Sequence, residues 1–125
     1  MDTQLTYLAW SAFLCIVLWV PYVLERVQLQ GLTGALGYPE NPPEPAAWAQ
    51  RAHRAHLNLV ENLPAFAALV LIAFVTGVDG GTGAAIFFWA RVVHAIVYTA
   101  GVPYVRTASF FVSWIGMVII FFQVL

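Results

Sequence analysis

Four polar residues recur along one stretch of otherwise apolar sequence: Arg51, Arg54, Asn58 and Glu61, spaced 3, 4 and 3 apart. That spacing places them on a single face of one helix. A second set, Arg91, His94 and Tyr98, spaced 3 and 4, shares a face in the same way. Arg106 follows about two helical turns after Tyr98. Guanidinium groups take carboxylates through paired hydrogen bonds, and a carboxylate such as Glu61 takes an ammonium. The two stripes brought together would line a polar pocket for a small anionic ligand that also carries an amine. A peptide-like thiol such as glutathione has that chemistry, with an apolar substrate arriving from lipid.

The elements that must position these residues are membrane helices. Of 125 residues, 62% are hydrophobic and 9% are charged, with a mean hydropathy of +0.81. A soluble domain is about 45–50% apolar and about 25% charged, so neither a soluble globular domain nor a disordered chain fits. A net charge of −1 argues against nucleic acid as a partner. Cys15 is the only cysteine, which excludes an intrachain disulfide and a cysteine-based metal site; no metal site is expected. A helix needs about 20 mostly apolar residues to cross a bilayer. Four stretches meet that need, over approximately 5–26, 46–76, 83–101 and 106–125, within one domain covering 1–125. The first has no basic start and no small-residue cleavage site, so it is expected to be retained as a span. The proline-rich run Gly37 to Pro45 is a stiff polar loop. Thr76 to Gly83 and Gly101-Val102-Pro103 are short turns. The expected fold is an all-α integral membrane four-helix bundle.

Arginine placement sets the orientation. Arg26, Arg51, Arg54 and Arg106 lie in or near the first and third loops, which are expected on the cytoplasmic side, with both termini outside. By helix rise, Glu61 lies about 22 Å from the end of the second span and Arg91 about 13 Å from the start of the third. An arginine at that depth needs a partner. Glu61 is the one carboxylate well inside the four apolar stretches, so an Arg91–Glu61 ion pair is expected. Plainer readings stand beside these. Arg26 and Arg51 also serve as positive-inside anchors, and Arg91 with Glu61 could be purely structural. His53 and His56 suit solvated or capping roles, and His94 could bond a neighbouring helix. Tyr98, Tyr104 and the tryptophans Trp10, Trp19, Trp48, Trp89 and Trp114 suit packing or an aromatic belt.

The run Arg51-Ala-His-Arg54-Ala-His-Leu-Asn58-Leu-Val-Glu61-Asn-Leu-Pro64-Ala-Phe66 resembles the signature of MAPEG, the membrane-associated proteins of eicosanoid and glutathione metabolism. Ala90-Arg91, His94 and Tyr98, followed by Pro103 and Arg106, are similar to the family's second signature. The resemblance spans the whole chain. It implies a four-helix subunit in a homotrimer, with glutathione as co-substrate between subunits near the cytoplasmic face. It implies that Arg54, Asn58 and Glu61 bind glutathione, that Arg91 holds Glu61, and that His94 and Tyr98 line the site. Arg51 is a weaker candidate for a glutathione contact, with helix ends or trimer contacts as the alternatives. Arg106 matches the arginine thought to stabilise the thiolate in leukotriene C synthase and prostaglandin E synthase. A nearby cation favours the thiolate, which is the nucleophile. The chain departs from members of the family at Leu57, at Gln28 and Gln30 after the first span, at Thr107 and at Phe110. It looks most like the short bacterial members, which implies a bacterial inner membrane.

Three functions follow. The first is a membrane glutathione transferase or peroxidase acting on small apolar electrophiles or lipid hydroperoxides. The second is a non-enzymatic scaffold or lipid-binding member, to which the departures point; the retained helix stripe and Arg106 point away from it. The third is a bis-histidine haem protein. It is disfavoured because His94 and His56 lie at about 18 and 30 Å from the outer surface by helix rise, mismatched depths for one haem.

Overall fold

The structure is a computed structural model that describes residues 2–125. Its helices are α1 (Thr3–Val17), α2 (Trp19–Leu36), α3 (Ala47–Val75), α4 (Gly81–Ala100) and α5 (Pro103–Val124). Pro21 has no N–H to give the Val17 carbonyl, and its ring crowds that oxygen; the helix breaks beside it, at Leu18. The two pieces form one helical segment, Thr3–Leu36, and with α3, α4 and α5 it makes four helices long and apolar enough to cross a membrane. The protein is an all-α, multi-pass integral membrane protein.

The first helix continues past the expected end of the span near Arg26. Glu25-Arg26 marks where the apolar run stops, and Val27 to Gln30 carries the helix on because none of those residues opposes it. Gly31, at φ 71° and ψ 169°, then kinks the chain in a region that a side chain disfavours. The connecting loop therefore covers only 37–46. Glu25 is buried, and its Oε1 accepts the Ala46 backbone N–H at 3.0 Å. An acidic group is favoured there, at the start of α3, where backbone donors lack helical partners.

The core is a seam of Leu59, Phe66, Val70 and Ala73 from α3, Ala84 and Phe87 from α4, and Met117 and Ile120 from α5. Phe66 and Phe87 stack with ring centroids 3.8 Å apart. Large apolar side chains elsewhere, among them Phe13, Ile16, Ile96 and Phe122, are well exposed, as expected of helices whose outward faces meet lipid. Helices α4 and α5 share the most extensive interface. It depends on Gly83 and Gly116, since a Cβ at 83 would sit 2.6 Å from the Gly116 carbonyl oxygen, and one at 116 would sit 2.7 Å from that of Gly83. Small residues let membrane helices approach this closely. Beside this contact Gln4 is buried. Its Nε2 donates to the Val78 carbonyl at 3.0 Å and its Oε1 accepts the Gly80 N–H at 2.9 Å, tying the start of α1 to the α3–α4 turn.

Gly116→Val should force α4 and α5 apart and destabilise the bundle by about 1–3 kcal/mol. The helical circular dichroism of the detergent-solubilised protein should melt at a lower temperature. An unchanged midpoint would show that the interface tolerates the extra carbons.

Candidate functional site

The α4–α5 crossing sets the geometry of a groove near its own turn. Asn58 from α3, His94 and Tyr98 from α4, and Arg106, Thr107 and Phe110 from α5 line an open groove of about 260 Å3. A smaller recess of about 90 Å3, lined by Arg51, Tyr98, Gly101, Val102, Pro103 and Arg106, shares Tyr98 and Arg106 with it. Pro103 begins α5, where its missing N–H has no helical partner to lose, so Arg106 stands in the first turn. Its Cζ lies 4.8 Å above the Tyr98 ring, a cation–π contact that holds the guanidinium at the groove. His94 is buried and packs edge-on against Tyr98 with centroids 5.4 Å apart, and more loosely on Phe110.

Arg91 lies behind this lining, 1% exposed. Its Nη2 donates to Asn58 Oδ1 at 2.7 Å and its Nη1 to Ser113 Oγ at 3.4 Å, while Nε has no partner. Its Cζ lies 5.8 Å from the Phe110 centroid. The expected Arg91–Glu61 ion pair is not formed. Glu61 is exposed, as is Arg54. The reason is angular: on α3 the buried stripe runs through Ala52, Ala55, Leu59 and Phe66, and at 100° per residue Asn58 sits at its margin while Arg54 and Glu61 turn further outward. The structure thus brings Asn58, His94, Tyr98, Arg106 and Arg51 to one place, sets Arg91 beneath them, and leaves Arg54 and Glu61 on an adjoining open face.

Arg51 is tied to the fold as well. Its Nε donates to the Thr99 carbonyl at 3.0 Å, and its guanidinium lies against Gly101, whose φ of 84° ends α4. That arrangement satisfies a carbonyl left over at a helix C-terminus and places a cation where the helix dipole favours one. His56 is an interhelical anchor. Its Nε2 bonds the Cys15 carbonyl at 2.9 Å and its Nδ1 bonds the Tyr22 hydroxyl at 2.7 Å. A carbonyl only accepts, so Nε2 carries the proton and Nδ1 accepts from Tyr22. His53 is exposed and stacks on Tyr22 at 4.6 Å. His56 and His94 therefore belong to separate clusters. Among the described residues no group of three or more His, Cys, Asp or Glu side chains could hold a metal ion.

A model of the MAPEG family matches residues 5–125. The chain belongs to the MAPEG family. Neither a curated protein nor a solved structure matched it. MAPEG is a family of four-helix membrane proteins, and membership fits glutathione-related transferase or scaffold roles. The sequence reading of this MAPEG chain missed Ser113, Phe110 and Glu25 as structural partners of the site and its loop. Ser109, Ser113 and Gly116, spaced 4 and 3 in an otherwise apolar span and all buried, carried a signal for close helix contact. Glu25 carried none, because its partner is a backbone N–H 21 residues away.

The geometry ranks two substitutions. Asn58→Leu strips Arg91 of its short hydrogen bond and should destabilise the protein by about 1–3 kcal/mol. Glu61→Gln changes a side chain that is exposed in this chain and pairs with no residue of it, and should cost less than Asn58→Leu. Thermal unfolding of both variants checks the order, and a larger loss for Glu61→Gln would restore the ion pair.

Proposed function

We propose that this protein is a homotrimeric membrane enzyme that binds glutathione at the groove and joins its sulfur to small apolar electrophiles or uses it to reduce lipid hydroperoxides. The observation that carries the reading is the convergence of Asn58, His94, Tyr98 and Arg106 from three helices on one groove, beside a face of α3 that leaves Arg54 and Glu61 exposed. Glu61 lies about 22 Å from the α3 terminus by helix rise, at hydrocarbon depth. A charge there requires a protein partner or a water-filled cleft. A neighbouring subunit laid against this face would supply one, and glutathione between the subunits would supply the other half of each contact. Arg54 takes a carboxylate of the peptide and Glu61 takes its ammonium.

Arg106 then stands over the thiol. A fixed cation favours the thiolate, and the thiol proton leaves to solvent. In transfer, the sulfur electron pair forms a bond to the electrophilic carbon and the leaving group departs with its own pair. Apolar substrates enter laterally from the lipid. The first and third loops, with Arg26, Arg51, Arg54 and Arg106, face the cytoplasm under the positive-inside rule, in a bacterial inner membrane by analogy with the short members that the chain resembles.

A scaffold or lipid-binding role is the second reading. It is favoured by Phe110 in the groove wall and by an apolar notch of about 220 Å3 lined by Trp10, Phe13, Leu14, Val17 and Phe88.

The ultraviolet difference spectrum of the detergent-solubilised protein with added glutathione separates the two. A saturable thiolate band near neutral pH is expected, and Arg106→Ala should abolish it without changing the oligomer's mass. A band that survives Arg106→Ala would overturn the role of Arg106. No band and no heat of binding in the wild type would favour the scaffold.

A further inference from the structure

The pairing of Arg91 with Asn58 has a consequence for which ligand groups the groove accepts. A guanidinium has donors only. The Asn58 atom 2.7 Å from Arg91 Nη2 is therefore the carbonyl oxygen Oδ1, and the amide cannot be flipped. Asn58 Nδ2 has no partner among the described residues, and Asn58 lines the groove. With Oδ1 turned to Arg91, the two Nδ2 hydrogens are what Asn58 offers to a ligand. Beside it Arg106 is a donor-only cation, and no carboxylate lines the groove.

The geometry points to Arg91 as a positioning residue that sets the polarity of the groove: by holding Asn58 Oδ1 it makes Asn58 a double N–H donor beside Arg106, so this part of the groove selects an acceptor-only anionic group, a carboxylate or thiolate. Arg91 touches no ligand. Its charge reaches the groove through the polarised amide, since a hydrogen bond accepted at the carbonyl strengthens the donors on the same group. The requirement for a buried cation without a carboxylate partner follows. An acid beside Arg91 would neutralise the field that Asn58 conveys, and Glu61, the acid one turn away, is turned out to the open face.

This inference rests on the glutathione-binding reading for the ligand's name, but not for its test. The full chain is labelled with 15N-asparagine in detergent, and the Asn58→Asp variant identifies the residue-58 side-chain NH2 signal among the three asparagines. Without any ligand, a water-soluble paramagnetic probe should broaden that signal in the wild type. A residue-58 pair shielded from the probe overturns the proposal, whatever glutathione does. Arg91→Lys keeps a donor-only cation on Oδ1 and should retain the broadening; its loss in a folded Arg91→Lys protein would equally count against it. Asn58→Asp keeps an acceptor for Arg91 but replaces the donors with a second acceptor. It should melt no lower than wild type while binding glutathione at least about tenfold more weakly. Wild-type affinity in Asn58→Asp overturns the proposal. An exposed NH2 pair that glutathione does not shift keeps the polarity and removes the proposed ligand.

Discussion

A guanidinium at mid-span, 1% exposed and without a carboxylate, is the constraint around which the rest of the bundle is arranged. Removing a charge from water costs several kcal/mol, and a buried charge persists only when its donors are met. Here the two Nη groups are met by neutral oxygens, the Asn58 amide on α3 and the Ser113 hydroxyl on α5, with one face of Phe110 nearby, while Nε is left without a partner. Arg91 therefore fastens α3 and α5 to α4 from within. A partner on each side also explains why Ser113 occupies an otherwise apolar helix.

That fastening works because the helices come close. Gly83 and Gly116 remove the side chains that would hold α4 and α5 apart, and Pro103 starts α5 straight after the Gly101 turn. The result is a short connection that sets Arg106 over Tyr98 at one end of the crossing. Arg51 closes the same end by capping α4 through Thr99. The groove is a product of this corner: three helices contribute, and none could form it alone. The outer face of α3 carries Arg54 and Glu61 exposed in this chain, which supports the proposal of a second subunit there.

The family, the four spans and most loops were legible in the sequence because each depends on local chemistry. Runs of apolar residues, prolines at the breaks and the spacing of Arg51, Arg54, Asn58 and Glu61 are properties of consecutive residues. The first helix runs past the end expected for the span because Glu25-Arg26 reports where the apolar surface stops, and the backbone continues as helix beyond it. The Arg91–Glu61 pair was misjudged for a different reason. Charge and depth matched, but a residue's direction around the helix axis depends on which stripe packs inward, and Ala52, Ala55, Leu59 and Phe66 place Asn58 at the seam and Glu61 outside it.

The sequence by itself determined that the chain crosses a membrane four times, that it belongs with the MAPEG proteins, and that its polar residues lie in two helical stripes. Those are matters of composition, period and motif, which neighbouring residues fix between them. Only the tertiary structure decided which members of the stripes meet. It gave Asn58 to Arg91, Thr99 to Arg51 and Tyr98 to Arg106, and it left Arg54 and Glu61 to face outward. Such pairings are set by the rotation and approach of whole helices, which the packing of small residues at α4 and α5 and the apolar seam of α3 control from positions far along the chain.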